Sequence, residues 1–445
     1  MNSPNCVGSR SRPRPDTIHS KNKHLRQQPH ASILMIDKKY SQRYETKVVA
    51  ILFLAWGTVF LDRMSLLYLA PILAPELHLS HQQIAQLASV LAVTWALSSL
   101  FLGAVSDRYG RRIVLIPAIF LFSAMSWITG FANSVLQLLV IRALMGLAEG
   151  SCWSTINAIL EESSHPTRRG RNVGFVVSAA ALVGLAVAPV LTTQVAARLG
   201  WRDAFFVAAI PGMVSGVLVW AFVKEPTRPS NFTDAQRPST LRNYLVILRS
   251  RNVWLCCLAA TGFMCWLYVQ NVFAPLYITE VGHQAATTAG FLLGATGLGS
   301  FLFGFTLPWI SDHVGRRRAL IFMAALSAVV PIVLLVPVLY QHLWLMAAIL
   351  LLTNGGEAMA ALVIVLVPTE SVPIGLAATA IGLVTMTGEF IGATLMPSVG
   401  VALSDRYGQA APLWLAAGGA ALVFLAALGM RERGLAEQEV LSGPP

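Results

Sequence analysis

Apolar residues gather into twelve long runs along the chain, separated by short polar connections. The runs lie near 48–70, 83–105, 113–131, 135–160, 172–196 and 203–223, and then near 253–277, 286–310, 319–339, 344–367, 376–402 and 412–430. A helix of about 20 mostly apolar residues is long enough to cross a bilayer. The pattern therefore predicts an all-α integral membrane protein with twelve transmembrane helices.

Polar segments divide these helices into two groups of six. Residues 1–47 form a basic tail, which we expect to be disordered and cytoplasmic, and residues 431–445 form a shorter cytoplasmic tail. A polar loop over 224–251 separates an N-terminal half, 48–223, from a C-terminal half, 252–430.

Composition agrees with a membrane protein, because 55% of the residues are hydrophobic and only 12% are charged, against about 25% charged in soluble domains. The net charge of +11 does not predict a nucleic-acid partner, since the basic residues lie at the ends of apolar runs, where they set topology. Five cysteines lack the spacing of a disulfide framework or a metal site, and we interpret them as apolar core residues: Cys6, Cys152, Cys256, Cys257 and Cys265. We expect no bound metal.

Lysine and arginine also predict the orientation. When twelve helices cross the membrane in order, both tails and the central loop lie on one side, together with Arg108, Arg111, Arg112, Arg168, Arg169, Arg171 and Arg316 to Arg318. The other side has Arg198, Arg202 and Arg406. We therefore expect a multi-pass protein of the plasma (inner) membrane with both termini in the cytoplasm.

The two halves repeat one another. Glu149 and Glu357 are separated by 208 residues, and the same offset relates Glu162 to Glu370, Gly174 to Gly382, Gly184 to Gly392 and Pro189 to Pro397. The loop Asp107-x-x-Gly110-Arg111-Arg112 recurs 205 residues later as Asp312-x-x-Gly315-Arg316-Arg317. Several matches in chain order predict two pseudo-symmetric six-helix halves.

Four ionisable residues lie inside apolar runs of the first half: Asp62, Arg63, Arg142 and Glu149. A charge at mid-membrane costs at least about 2.5 kcal/mol, so such groups face partners or a wet cavity. Arg142 and Glu149 are seven residues apart on one helix face, a rise of roughly 10 Å. Arg63 and Arg142 lie at similar depth, where an anion can bridge them. The alternative is that these residues form structural ion pairs.

The second half contributes Gln270, Asn271, Asn354, Glu357 and Glu389 at membrane depth. We interpret them as substrate-binding residues, with hydrogen bonding between helices as the alternative. If Asp62, Glu149, Glu357 and Glu389 are all ionised, their negative charge exceeds that of the two arginines. Either some carboxylates are protonated at rest, or the cargo is a cation.

The segment Gly103-Ala-Val-Ser-Asp107-Arg108-Tyr-Gly110-Arg111-Arg112 resembles the G-x-x-x-D-R-x-G-R-R loop of the major facilitator superfamily. The resemblance extends from Lys47 to Arg433. It implies a major facilitator fold and a cytoplasmic gate formed by Gly103, Asp107, Arg108, Gly110, Arg111, Asp312, Gly315 and Arg316. The second copy carries Pro308 and His313 in place of a glycine and an arginine, which leaves its role as a latch open.

Within that superfamily, Leu61-Asp62-Arg63-Met64, together with Arg142 and Glu149, resembles the anion:cation symporter family, which includes hexuronate, galactonate and sialin-type carriers. The resemblance implies that Asp62 and Glu149 couple transport to protons, and that Arg63 and Arg142 bind the substrate carboxylate. Spinster-like lipid transporters share part of this pattern.

We therefore expect a secondary transporter that moves a small organic anion together with protons, as a monomer in the lipid bilayer. There is no G-x-x-x-x-G-K loop for ATP, and no segment remains for a soluble catalytic domain. The sequence therefore predicts neither an enzyme nor a cofactor. We expect a proton gradient to be the driving force. Gly184-Leu-Ala-Val-Ala-Pro189 is a weak form of an antiporter stretch, so export of drugs, cations or lysolipids stays an alternative. A non-transporting receptor with this fold is another.

Overall fold

In the computed structural model, the described residues are 42–165, 168–225, 247, 249–372 and 376–431. The N-terminal half contains α1 (Gln42–Glu76), α2 (His81–Tyr109), α3 (Arg111–Thr129), α4 (Val135–Ser163), α5 (Arg169–Leu199) and α6 (Trp201–Phe222). The C-terminal half contains α7 (Arg251–Glu280), α8 (Ala286–Val314), α9 (Arg316–Leu334), α10 (Leu343–Glu370), α11 (377–407) and α12 (Ala411–Gly429). The predictions for residues 1–41, most of the central loop and residues 432–445 lie outside the described residues.

Twelve helices therefore stand where the hydrophobic pattern predicts them. Among the described residues, eleven helices are long and apolar enough to cross a membrane. The remaining one, α2, has 29 residues and carries the predicted apolar run 83–105. Large apolar side chains such as Trp344 (79% exposed) and Leu136 (70% exposed) point away from the protein, which suits contact with lipid. The prediction of an all-α, multi-pass membrane protein is confirmed.

Three helices depart from regular α geometry. α5 contains a π-helical segment at Ala180–Val187, and α11 contains one at Gly388–Leu395. These two segments are separated by the 208-residue offset of the repeat, and each comes just before the repeated proline. α10 is interrupted at Asn354, where its first segment ends before a second one starts at Gly356. The predicted span near 344–367 is present, but the sequence analysis did not predict the break inside it.

Equivalent hydrogen bonds at the helix ends of the two halves show the same repeat. Arg111 pairs with Glu162 at 2.8 Å, and Arg316 pairs with Glu370 at 3.0 Å. The neighbouring arginines donate to the carbonyl oxygens of Trp220 and Leu428, at 2.6 and 2.8 Å. The predicted two-fold repeat is thereby confirmed in the fold. We call the end of the molecule with these arginines the basic side, and the end with Glu76 and Glu280 the opposite side.

The two halves pack closely between the centre of the molecule and the opposite side. Gly290, Gly294 and Gly297 of α8 face α5, where an added Cβ would collide with its backbone or, at Gly294, with the side chain of Val190. Side-chain hydrogen bonds between described residues of the two halves include Arg63 to Glu389, Tyr68 to Asn271, Ser89 to Thr394 and His81 to Glu280. All four start from the C-terminal part of α1 or the N-terminal part of α2. The halves are therefore joined toward the opposite side.

The cysteines are core residues, as predicted. Cys152, Cys256, Cys257 and Cys265 are free and buried. Cys6 lies outside the described residues.

Candidate functional site

α1 places two opposite charges next to each other in the interior, and Asp62 and Arg63 are only 1% and 2% exposed. Successive side chains of a helix point in different directions, so each has its own partners. The Oδ1 atom of Asp62 accepts a 2.8 Å hydrogen bond from Ser126 of α3. Arg63 points instead toward α11. The adjacent acid and base are therefore not a self-contained pair at the surface.

Arg63 makes the deepest contact between the halves. Its Nη2 atom lies 3.3 Å from Oε2 of Glu389, and both side chains are almost fully buried. Aromatic rings surround the guanidinium, with ring centroids 5.2 Å away at Trp95, 5.1 Å at Tyr268 and 5.7 Å at Phe60. Such rings attract a cation. They hold the plane of the guanidinium in one orientation.

Arg142 reaches α1 from α4. Its Nη2 atom donates a 3.0 Å hydrogen bond to the carbonyl oxygen of Arg63, and its Nη1 atom lies 3.5 Å from the sulfur of Met145. The contact places the two arginines at one level, as their depth in the sequence predicts. Neither partner of Arg142 carries a negative charge, so its positive charge is not neutralised by these bonds.

Glu149 lies two turns further along α4 and is 0% exposed. Among the described residues it forms no ion pair with Arg142, and neither of its carboxylate oxygens receives a hydrogen bond. Its charge nevertheless interacts with those of Arg63 and Arg142. An ionised carboxylate needs donors, whereas a protonated one is itself a donor. This surrounding suits a group that gains and loses a proton.

Further buried polar atoms around these residues have no hydrogen-bond partner among the described residues: Nε of Arg63 and of Arg142, Oδ2 of Asp62, Oε1 of Gln270 and Nε1 of Trp95. Buried polar atoms are nearly always paired in proteins. The arginine donors and the carboxylate acceptors are candidates for contacts with a polar ligand, and Gln270 contributes a further acceptor from the second half.

The amides of the second half have different surroundings. Asn271 accepts a 2.9 Å hydrogen bond from the hydroxyl of Tyr68 and donates to the carbonyl oxygen of Leu267 at 2.7 Å. Asn354 accepts from the backbone N–H of Gly356 at 3.0 Å, where it ends the first segment of α10. Gln270 is the predicted amide whose acceptor atom stays without a described partner. The side chain of Glu357 lies outside the described residues.

The predicted gate loops connect α2 to α3 and α8 to α9. Gly110 and Gly315 have φ of 127° and 96°, values that favour glycine because they strain other residues. Arg111 and Arg316 each reach back to a serine of the preceding helix, Ser106 and Ser311. Arg108 lies over the ring of Tyr109, and Gly103 lies within α2. The side chains of Asp107 and Asp312 lie outside the described residues, and the described contacts of Arg111 and Arg316 stay within their own halves.

Close helix packing holds the aromatic rings in place. A Cβ added at Gly146 or Gly150 of α4 would collide with the backbone of α2, at Leu91 and Trp95 respectively. The two glycines therefore allow α2 to approach α4 closely. Because Trp95 lies directly on this contact, the glycines determine where its ring meets Arg63.

Sequence reasoning did not identify Tyr68, Trp95, Ser126 and Tyr268 as neighbours of the charged residues. Hydroxyls and rings are common in apolar helices, and no spacing relates them to Arg63 or Asp62. An available signal was the depth of Trp95, which lies well inside its helix rather than at the membrane surface where tryptophan is enriched.

Known proteins resemble this chain over most of its length. It is 28% identical over 367 residues to a "probable 4-methylmuconolactone transporter" of Cupriavidus pinatubonensis, covering 80% of this chain and 83% of that protein. It is 27% identical over 283 residues to a hexuronate transporter of Bacillus subtilis, covering 61% and 65%. It is also 26% identical over 320 residues to a multidrug resistance protein of Yersinia enterocolitica, covering 68% and 74%.

The fold has solved counterparts. The crystal structure of a bacterial homolog of the human lysosomal transporter Spinster superposes with a TM-score of 0.70 at 18% identity, covering 87% of this chain and 98% of that one. The family model described as Major Facilitator Superfamily matches residues 52–397 and 283–442. With its twelve helices in two repeated halves and its central buried charges, this chain belongs to the major facilitator superfamily of transporters.

Proposed function

We propose that the protein is a proton-coupled symporter that carries a small organic anion, as a carboxylate, across the plasma (inner) membrane by alternating access. The observation that supports this most is the pair of buried arginines. The Arg142 side chain donates to the backbone carbonyl oxygen of Arg63, and each arginine has an Nε donor without a described partner. A guanidinium presents a planar fork of donors that matches a carboxylate.

Charge balance links the anion to protons. Glu389 neutralises the charge of Arg63. The net charge of the other described ionisable residues at the centre then depends on Asp62, Glu149 and Arg142. With both acids ionised this net charge is negative and repels an anion. With both acids protonated it is positive, and a monocarboxylate neutralises it. Proton uptake therefore precedes or accompanies binding of the anion, which is the requirement for symport, and no cofactor is needed.

The orientation follows the positive-inside rule. The basic side faces the cytoplasm, and both termini lie there. The described hydrogen bonds between the halves lie toward the opposite side, and from them we infer a conformation that is closed to the outside. The site lies at the interface of the repeats near mid-membrane, as in other transporters built from repeated halves. We propose that one chain is the functional unit, with the lipid bilayer, protons and the organic anion as its partners.

Proton-driven export of drugs is the second candidate. The resemblance to a multidrug resistance protein favours it, and so does the position of Gly184, which lies against Phe60 beside the site. Under this alternative the surplus of acids binds a cation, and protons leave the acids when the cation enters.

Transport in proteoliposomes distinguishes these functions. The purified protein is tested with benzoate, cis,cis-muconate and glucuronate as anions and with ethidium as a cation, under a pH jump that makes the outside acidic. We expect inward accumulation of at least one carboxylate, abolished by a protonophore. Proton-driven movement of ethidium in the opposite direction to the protons, without carboxylate uptake, would instead establish the antiporter.

A further inference from the structure

We propose that Glu389 is an internal competitor of the substrate: its carboxylate takes the place of the substrate carboxylate on Arg63 when the halves close on the opposite side, and so promotes release of the anion toward the basic side. The proposal rests on the anion transport proposed above. It assigns to Glu389 a role in substrate release rather than in binding.

The first observation is the contact itself. Arg63 belongs to the N-terminal half and Glu389 to the C-terminal half, and the two meet at 3.3 Å with side chains 2% and 4% exposed. A side-chain carboxylate and a substrate carboxylate offer the same two oxygens to a guanidinium. Glu389 therefore contacts Arg63 in the manner proposed for the anion.

The second observation is the location of this contact among those that join the halves. Opening the opposite side separates the C-terminal part of α1 from α11, and this movement breaks the pair. Arg63 is then left without its partner, which is unfavourable for a cation deep in the protein. An anion entering from the opposite side removes that disadvantage. Closing brings Glu389 back and displaces the anion.

The third observation ties Glu389 to the closure through the π-helical segment of α11. The hydroxyl of Thr394 donates a 3.1 Å hydrogen bond to the carbonyl oxygen of Glu389, and the carbonyl oxygen of Thr394 accepts a 2.6 Å bond from Ser89 of α2. One short segment thus carries two of the contacts between the halves. π-helical turns inside α-helices are frequent at functional sites.

The same segment is anchored in its own half. Gly388 and Gly392 lie against α7, where an added Cβ would come within 3.0 Å of the carbonyl oxygen of Ala260 and 2.6 Å of the Cβ of Met264. Because α7 holds the segment this closely, Glu389 and Thr394 approach α1 and α2 together as the halves close. Release of the anion and closure of the opposite side are then one movement.

The test compares Glu389→Gln with Glu280→Gln. Glu280 also joins the halves on the opposite side, through His81 at 3.2 Å, but does not contact Arg63. Binding is measured with the carboxylate that the wild type transports among benzoate, cis,cis-muconate and glucuronate. We expect Glu389→Gln to bind it at least tenfold more tightly and to release it at least tenfold more slowly, with turnover reduced. Glu280→Gln should keep the wild-type release rate. Equal or weaker binding by Glu389→Gln would overturn the proposal.

A second measurement needs no substrate, and it separates failure of this proposal from failure of the proposed function. Spin labels at Gln82→Cys and Arg406→Cys, which are exposed on α2 and α11, report the distance between the halves on the opposite side. We expect Glu389→Gln to add a population with a longer distance. If no carboxylate binds the wild type, the proposed anion transport is wrong. If Glu389→Gln leaves the distance distribution unchanged, the Arg63–Glu389 pair does not help to close the opposite side.

Should Glu389→Gln not fold, Ser89→Ala provides the second variant. It removes the other contact of the π-helical segment and keeps both charges. We expect the same longer distance and a smaller gain in affinity, about twofold to fivefold. A distance and an affinity both equal to those of the wild type would show that the segment does not link the site to the closure.

Discussion

Nη2 of Arg142 donates a 3.0 Å hydrogen bond to the backbone carbonyl oxygen of Arg63, so two cations on different helices are held at one level in the interior. A carbonyl oxygen satisfies a donor but does not neutralise its charge. The charge of Arg63 acts on that of Arg142, and like charges inside a protein repel each other because the local dielectric constant is low. The arrangement therefore favours a negative charge beside them, and several consequences can be measured.

Arg142→Lys should bind the transported carboxylate at least tenfold more weakly. Lysine keeps the positive charge but loses the planar fork of donors, so it cannot contact both Arg63 and a carboxylate in the same geometry. Calorimetry on purified protein measures the loss. Arg202→Lys is the matched control, because Arg202 pairs with the exposed Glu76 on the opposite side. Wild-type affinity in Arg142→Lys would show that Arg142 only joins the helices.

Glu149→Gln should keep substrate exchange and lose uphill transport. Glutamine resembles the protonated carboxyl group, so the variant remains in the state that accepts the anion and cannot return a proton. Counterflow between two loaded compartments measures exchange, and uptake driven by a pH gradient measures coupling. Glu161→Gln, at a residue whose side chain is 71% exposed, should behave as the wild type in both assays.

Two other results for Glu149→Gln would each contradict the prediction. Retained accumulation against a gradient would mean that Asp62 carries the proton alone. Loss of folding, stability and exchange together would mean that Glu149 is a structural partner of the buried arginines, since removal of one buried charge commonly costs roughly 3 to 5 kcal/mol.

The fold could be predicted from the sequence because its determinants are local and repeated. Each run of apolar residues specifies one helix whatever its neighbours are, and the 208-residue offset appears both in the sequence and in the paired π-helical segments. The break in α10 was missed although Asn354-Gly355-Gly356 is a sequence that ends helices. The apolar residues on both sides of this sequence indicated a single membrane span and concealed the break.

The site could be predicted only in part. The cost of burying charge is enough to identify Asp62, Arg63, Arg142 and Glu149 as central residues. The partner of Arg63 could not be found this way, because Glu389 is 326 residues away and meets Arg63 only when two separate halves come together. The same limit applies to Asn271, whose contact with Tyr68 also crosses between the halves.

Gly150→Ala should lower both thermal stability and anion affinity. The new methyl group would overlap the carbonyl oxygen of Trp95 and lie 3.0 Å from the Cβ of Ser98. Backbone cannot move aside as a flexible side chain does, so α2 has to shift, at a cost of about 1–3 kcal/mol. This shift carries the ring of Trp95 away from Arg63, and we expect a severalfold loss of affinity.

Gly174→Ala is the control for this change, because a Cβ at Gly174 meets no described atom within 4 Å. Replacing a helical glycine by alanine without a clash stabilises by roughly 0.5–1 kcal/mol. Melting temperatures in detergent should therefore move in opposite directions for the two variants. Equal behaviour would mean that the close approach of α2 and α4 does not position the site.

The site should prefer flat, unsaturated or aromatic carboxylates over sugar acids. Polyhydroxylated acids need many hydrogen bonds, but Asn271 and Asn354 already use their side chains within the protein, and Gln270 is the predicted amide whose acceptor has no described partner. The rings of Trp95 and Tyr268 beside Arg63 offer faces that suit a planar ligand. Competition against uptake of the transported carboxylate ranks the panel, and we expect benzoate or cis,cis-muconate to compete at least tenfold more strongly than glucuronate. In Trp95→Leu this preference should shrink while glucuronate competes as before. Stronger competition by glucuronate in the wild type would reverse the assignment and require the amides to rearrange when the substrate binds.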